Sequence, residues 1–274
     1  MNTAFMIIIF IVGACIGSFL NVCIYRIPER KSIVKPGSHC FKCHSAIKPY
    51  DNIPILSYML LGGKCRTCGA SISIQYPFVE LVTALLFVFF FAHSGLEIKE
   101  LIQFPSSSII LLFIFAYVAA MIVITLIDYR HQIIPDRISI SGILAGFLLT
   151  MYRETVADTT RFILAKGLFD SFVGSISGAA IFYIIIVVSR GGMGYGDVKL
   201  AAMIGAFMGW KMMLEVVMLA VISGSIIGVI LLITGLKKRR EPIPFGPFLA
   251  IMSLVCMIYG NDILQFYLKT FSFR

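Results

Sequence analysis

Residues 4–25 read AFMIIIFIVGACIGSFLNVCIY, an apolar run long enough to cross roughly 30 Å of hydrocarbon as a helix. No small-residue cleavage site with a polar continuation predicts its removal, so we interpret it as a retained first span. Of the 274 residues, 59% are hydrophobic and only 14% are charged, which is more apolar surface than a soluble core of this size could hide. The composition therefore predicts an integral membrane protein in contact with the lipid bilayer.

Further apolar runs along the chain predict an all-α fold with about eight transmembrane helices and one small cytoplasmic loop domain. The predicted spans are 4–25, 77–93, 107–127, 138–152, 167–189, 198–213, 214–236 and 244–260. The sixth is short and has Lys199 and Lys211 near its ends, so a re-entrant or tilted segment is an alternative. We expect three parts: a first transmembrane helix over 1–25, a cysteine-bearing loop domain over 26–76, and a polytopic membrane domain over 77–274.

The net charge of +9 does not indicate nucleic acid as a partner, because most of the 23 lysines and arginines fall in short loops beside apolar spans. If the amino terminus lies outside, these loops face the cytoplasm, and the positive-inside rule favours that orientation. The loops at 26–76, 128–137, 190–199 and 237–243 then share the cytoplasmic side.

Two CxxC motifs in the first loop predict a metal site. Their cysteines are Cys40, Cys43, Cys65 and Cys68. Four thiolates at this spacing suit a tetrahedral structural zinc with no open position for catalysis, and in a loop with little apolar content the metal would supply folding energy. Two disulfides or free thiols are the alternative, and His39 or His44 could replace a ligand.

Asp128 and Asp197 each stand where a long apolar segment ends, the second within the run GGMGYGD at 191–197. A carboxylate at a membrane boundary is costly to desolvate and usually marks a functional site. Glycines in this run can adopt positive φ and bring the backbone close to a ligand, so we predict Gly194 and Gly196 as substrate-loop residues. The run is not a phosphate-binding P-loop, because no strand precedes it and no Lys-Ser/Thr pair ends it.

Two carboxylates within hydrogen-bonding reach share one proton, which is the starting state of an aspartic protease. The ionised partner takes a proton from water while the protonated one polarises the scissile carbonyl. Asp128 has the alternative of a local salt bridge to Arg130 or Arg137. Asp136, next to Pro135, is expected to begin the following helix and complement its dipole.

Polar residues also lie inside the first two spans. Asn21 predicts an interhelical hydrogen bond. Glu80, four residues into the second span, is another costly carboxylate that could pair with a loop cation or contact a ligand. A transporter or channel would use Asp128, Asp197 and Glu80 as ion or proton sites, and a zinc-dependent assembly protein without catalysis is a third reading. The position of both aspartates at the cytosolic boundary, and the lack of an inverted repeat, favour the protease.

Taken together, these segments resemble the bacterial prepilin leader peptidases/N-methyltransferases, membrane aspartic proteases of the GxGD type. The similar stretches occur in the expected order and are GSFLNVCIYRIP at 17–28, the double CxxC, YPFVELVTALLF at 76–87, LIDYRHQIIPD at 126–136, GMGYGDVKL at 192–200 and PFGPFLA at 244–250.

The resemblance implies that Asp128 and Asp197 form the catalytic pair and that the substrates are type IV prepilins or pseudopilins. Their short basic leader would be removed at the cytoplasmic face of the bacterial inner membrane. The resemblance also implies N-methylation of the new amino terminus with S-adenosylmethionine. The chain has no Rossmann-type glycine fingerprint that would locate this cofactor, so its binding residues stay unassigned.

Overall fold

The structure is a computed structural model that describes residues 3–96, 105–156, 160–190, 192–238 and 243–271. All regular elements among these residues are helices, and two isolated β-bridges occur in the first large loop. The described α-helices are α1 Thr3–Arg26, α2 Leu56–Leu60, α3 Gln75–His93, α4 Pro105–His131, α5 Asp136–Thr155, α6 Leu168–Val188, α7 Tyr195–Ile233 and α8 Gly246–Phe271. The chain divides into a first compact unit, which contains the described residues up to Ala92 together with Leu96, and a second, which contains His93–Gly95 and the described residues from 105 onward.

Six of the described helices, α1, α3, α4, α6, α7 and α8, are long and apolar enough to cross a membrane. Large side chains such as Phe169 and Ile233 stay 81% and 80% exposed, as lipid-facing residues do. All eight predicted apolar segments are helical, but α5 is not among these six helices, and α7 contains both the sixth and the seventh segment. The predicted all-α membrane class is confirmed, whereas the predicted count of eight is approximate.

In the first unit, α1 and α3 run antiparallel and approach closely at two glycines. A Cβ on Gly13 would lie 2.7 Å from the Cα of Ala84, and a Cβ on Gly17 would lie 2.7 Å from the Cα of Glu80. Side chains at either position would push the helices apart, so this spacing of small residues brings the two backbones into contact. The predicted interhelical hydrogen bond of Asn21 is present, since its Nδ2 donates to the carbonyl of Tyr76 at 3.1 Å.

The 39 residues of α7 are interrupted at Gly209, which has φ 76° and ψ 175°. A straight helix of this length would measure about 58 Å. Instead, both ends of α7 approach the beginning of α8: a Cβ on Gly228 would lie 3.6 Å from Ile243, and Gly196 packs on Ile134, which also contacts Gly246. The two halves of α7 are therefore antiparallel and reverse at Gly209.

The carboxylate of Asp170, in the first turn of α6, holds this reversal in place. It accepts the N–H of Trp210 at 3.3 Å and occupies the space that a Cβ on Gly209 would need. Glycines of α6 then pack on the first half of α7: Gly174 lies against Gly205, and Gly178 against the carbonyl of Ala201. These contacts fix the segment of α7 that begins with the GYGD run.

Candidate active site

Asp128 lies in the last turn of α4 and is only 6% exposed. Its Oδ2 accepts a hydrogen bond from the backbone N–H of Gly246 at 3.0 Å. Gly246 is the first residue of α8, where N–H groups lack partners within their own helix and the helix dipole favours negative charge. The structure thus supplies the carboxylate with a neutral donor from the amino-terminal end of another helix.

Asp197 lies in the first turn of α7 and is 8% exposed. The N–H of Asp197 donates to the carbonyl of Gly194, the residue before the helix, at 3.2 Å, and the backbone of Gly194 lies beside the carboxylate, since a Cβ there would be 3.9 Å from Oδ2. A Cβ on Gly196 would lie 2.9 Å from the Cβ of Ile134, so a side chain at this position would collide with the neighbouring loop. The backbone at Gly196 therefore packs closely against Ile134. Gly191 lies outside the described residues, and the assignment of Gly194 and Gly196 to a substrate loop remains a prediction.

The two aspartates converge around Ile134, which is itself buried. Ile134 contacts Gly196, one residue before Asp197, and its Cδ1 would lie 3.3 Å from a Cβ on Gly246, the donor to Asp128. The charge of Asp128 acts directly on Asp197, so the two carboxyl groups interact electrostatically. The second unit thus brings the two sequence-predicted acidic residues together in one buried site.

The predicted alternative partners of Asp128 are not found: among the described residues, neither Arg130 nor Arg137 forms a salt bridge with it. Asp136 begins α5, as expected, and pairs with Lys199 at 2.6 Å in an exposed position. The lysine beside the GYGD run is thus engaged with this outer carboxylate.

Sequence reasoning missed Gly246 and Ile134 as parts of this site. Gly246 lies 118 residues from Asp128, and nothing in the local sequence links the two. The one available signal was a glycine between prolines at the start of an apolar helix, within the stretch PFGPFLA.

The four cysteines lie in two loops of the same construction. Each begins with an antiparallel bridge, His39 with Ala46 and Lys64 with Ser71. In each loop the N–H four residues after the first cysteine returns to that cysteine's carbonyl, at 2.9 Å, and the residue donating it has positive φ: His44 in the first loop and Gly69 in the second. This geometry turns both thiols of each CxxC motif to the same side.

All four Sγ atoms lie within 4.8 Å of one another, and none is in a disulfide. The Cys40 and Cys68 sulfurs are 3.7 Å apart, close to the roughly 3.8 Å edge of a tetrahedron with Zn–S bonds of about 2.3 Å. The hydroxyl and N–H of Ser45 lower the pKa of Cys43 to about 6, which favours the thiolate form that binds metal. The donor set therefore fits a structural zinc, and neither His39 nor His44 belongs to the cluster.

Comparison with known proteins decides the family. The profile of the bacterial peptidase A24 N-terminal domain matches residues 11–94, and that of the type IV leader peptidase family matches residues 115–232. A prepilin leader peptidase/N-methyltransferase from Pseudomonas aeruginosa is 32% identical over 99% of this chain and 96% of its own length. Proteins of the same name from Bacillus subtilis and Aeromonas salmonicida are 32% and 30% identical, each over 96% of this chain and over 97% and 94% of their own lengths.

The chain belongs to the prepilin leader peptidase/N-methyltransferase family. The resemblance inferred from the motifs is thereby confirmed. Among solved structures, none gives a significant match to this chain. In this leader peptidase family member, the first profile covers the four cysteines and Glu80, and the second covers Asp128 and Asp197.

Proposed function

We propose that the chain is a membrane aspartic endopeptidase that removes the short basic leader of type IV prepilins or pseudopilins and then N-methylates the new amino terminus. The names of its relatives support both activities. The observation that carries the proteolytic assignment is the convergence of Asp128 and Asp197, two buried carboxyls that interact without an arginine or lysine partner among the described residues.

The proposed hydrolysis needs one proton shared between the two aspartates. The ionised carboxylate takes a proton from water, and the resulting hydroxide attacks the scissile carbonyl, which the protonated partner polarises. The backbone N–H of Gly246 holds the Asp128 carboxyl by a hydrogen bond, and the backbone of Gly194 lies beside the Asp197 carboxyl. Neither group adds a charge, so the shared proton stays on the pair. No metal or covalent intermediate is required for this step.

The substrate class fits the depth of the site. A leader that carries Lys or Arg stays in the cytosol while the following apolar helix enters the bilayer, so the scissile bond lies at the inner membrane boundary. The aspartates stand at the ends of apolar helices, Asp128 in the last turn of α4 and Asp197 in the first turn of α7. With the amino terminus outside, as the distribution of lysine and arginine favours, this boundary faces the cytoplasm.

We assign structural zinc to the four cysteines of the loop domain at 26–76, between a first transmembrane helix at 1–25 and the polytopic domain at 77–274. S-adenosylmethionine supplies the methyl group for the second reaction. The methyl group is transferred to the α-amino group that leader removal exposes. This amino group must first lose a proton, because an ammonium nitrogen has no lone pair.

Co-expression with a type IV prepilin tests the aspartate pair. Asp128→Asn and Asp197→Asn are each expected to lower leader cleavage by about 10²–10⁴-fold, since each removes a group that transfers a proton. Asp136→Asn is the matched control, because this aspartate lies near the site but is exposed and paired with Lys199. Gel shift and mass spectrometry follow the leader, and normal cleavage by both buried-site variants would exclude the pair as the catalyst.

A further inference from the structure

Glu80 is a buried carboxylate of the first unit that the proteolytic mechanism does not use. It lies in α3 and is 6% exposed. Its Oε2 accepts the N–H of Ile55 at 2.7 Å, and the hydroxyl of Ser18 also reaches the carboxylate. The predicted pairing with a loop cation is absent among the described residues. Glu80 is therefore held in place by neutral donors while its charge is left without a counter-ion from the described chain.

A second unsatisfied acceptor lies on the same seam between α1 and α3. Both amide hydrogens of Asn21 are used, since Nδ2 donates to the carbonyls of Gly17 at 3.3 Å and Tyr76 at 3.1 Å. This fixes the amide orientation and leaves Oδ1 buried without a partner on a residue that is 3% exposed.

Glu80 and Asn21 are neighbours along this seam. Glu80 packs on Gly17, and Asn21 follows Gly17 by one helical turn, which is about 5.4 Å. The seam thus carries two residues with acceptor side chains, one packed on Gly17 and the other one turn after it.

The donor that positions Glu80 comes from a strained turn. Ile55 has φ 63° and ψ −53°, and the N–H of Leu56 donates to the carbonyl of Pro54 at 2.6 Å, so the chain forms a γ-turn with positive φ. This form is rare, and a β-branched residue at its centre is a conformational outlier. Such strain persists where the surroundings impose it, and it is concentrated at functional sites. Here it aims the N–H of Ile55 at the carboxylate.

The Glu80 carboxylate and the Asn21 amide oxygen can only accept hydrogen bonds, so they are complementary to a ligand group that can only donate them. A primary ammonium group has three donors, carries the missing positive charge and has no acceptor. Leader removal creates such a group, the new α-ammonium of the processed chain. We propose that Glu80 and Asn21 bind this ammonium and that Glu80 takes its proton before methyl transfer.

The proposed step balances in atoms and charge. The proton moves from the α-ammonium to a carboxylate oxygen of Glu80, and the freed nitrogen lone pair forms the bond to the methyl carbon of S-adenosylmethionine. The methyl–sulfur bond breaks and its electron pair stays on sulfur, so the products are a secondary ammonium and S-adenosylhomocysteine. Glu80 then returns its proton to water. This assignment rests on the proposed function, because it presupposes that leader removal supplies the amine.

Binding without the methyl donor tests the assignment separately from turnover. Full-length protein in nanodiscs is titrated with a fluorescent peptide that has the processed amino terminus, either free or acetylated. The wild type is expected to prefer the free amine by at least tenfold, and Glu80→Gln should abolish that preference while keeping an acceptor for the N–H of Ile55. Glu215→Gln is the matched control, because Glu215 is also 6% exposed but lies in the second unit.

Three results in this titration would overturn the assignment: equal binding of both peptides by the wild type, an unchanged preference in Glu80→Gln, or displacement of both peptides alike by millimolar sodium or magnesium. The last would identify an inorganic cation site. Asn21→Leu should weaken the preference without abolishing it, since the carboxylate remains.

Turnover gives an independent readout. Glu80→Gln should lower methylation of a pre-processed peptide by about 10²-fold or more, as removal of a proton acceptor does, while prepilin cleavage stays within about twofold. Glu80→Asp should restore part of the methylation. This peptide needs no cleavage by the aspartates. The methylation measurement therefore stays valid even if the protease assignment is wrong. Loss of cleavage together with methylation in Glu80→Gln would make Glu80 a structural support and overturn the assignment.

Discussion

Gly246→Ala should impair leader cleavage while the fold is retained. The new Cβ would lie 2.6 Å from Oδ2 of Asp128, whereas ordinary contact begins at 3.4 Å, so the carboxylate must move by about 0.8 Å. The obstructing atom is the end of a side chain, and Gly246 does not have positive φ, so neither the backbone nor the start of α8 needs to change. A displacement near 1 Å in a catalytic group lowers rates by about 10²-fold, and we expect a loss of this order in kcat/KM.

The assay compares purified Gly246→Ala with Gly224→Ala in the same detergent, with prepilin cleavage followed by gel shift. Gly224 is the matched control, because its Cβ would approach Phe245 and Phe248 no closer than 3.6 Å. Methylation of a pre-processed peptide should be normal in both variants, which separates a local effect from unfolding. Cleavage by Gly246→Ala within about threefold of wild type would refute the reasoning that a Cβ at this position displaces the Asp128 carboxylate from its catalytic position.

Further predictions concern packing, the metal and the loop. Gly205→Ala should lower the free energy of unfolding by about 1–3 kcal/mol, because its Cβ would overlap the facing carbonyl of α6; thermal unfolding in detergent measures this. Cys40→Ser combined with Cys43→Ser should abolish zinc retention by elemental analysis while sparing some cleavage, and unaltered zinc content would contradict the metal assignment. Arg66 donates to Asp51 and holds the pKa of that carboxyl below its ordinary value, so the pair stabilises the loop above about pH 4 and this contribution is lost as pH falls through the lowered pKa. Asp51→Asn should remove the loss of loop stability at acid pH. A pH profile of loop unfolding that matches the wild type would contradict this role of the pair.

The fold class could be predicted because long apolar runs have few alternatives to membrane helices. The reversal inside α7 could not. A single glycine at 209 within an apolar run is compatible with a kink, a re-entrant segment or a complete turn, and the outcome depends on Asp170, which accepts the N–H of Trp210. That contact joins residues 40 positions apart, and no local pattern encodes it.

In the candidate site, too, some features could be predicted from the sequence and others could not. Asp128 and Asp197 were predictable because a carboxylate at a membrane boundary is costly and glycines beside it are informative. Their supporting groups were not, because backbone N–H groups are present in every residue type except proline. Ile55 illustrates the extreme case, since propensity disfavours a β-branched residue at positive φ and only the folded chain shows that its N–H meets Glu80.

Four carboxylates are buried in the described helices, and the chain surrounds them in two ways. They belong to Glu80, Asp128, Asp197 and Glu215. Glu80 and Asp128 accept backbone hydrogen bonds from Ile55 and Gly246 respectively, and the backbone of Gly194 lies beside Asp197. A backbone N–H positions an oxygen without adding charge, whereas a lysine or arginine would also neutralise it and occupy it. These three carboxylates therefore remain free to exchange a proton or bind a cationic ligand. Both oxygens of Glu215 lack a hydrogen-bond partner, so this residue shares the burial without the positioning. If Glu215→Gln impaired cleavage or methylation as strongly as the other three amide substitutions, burial alone would explain the effects and the role of the backbone donors would be refuted.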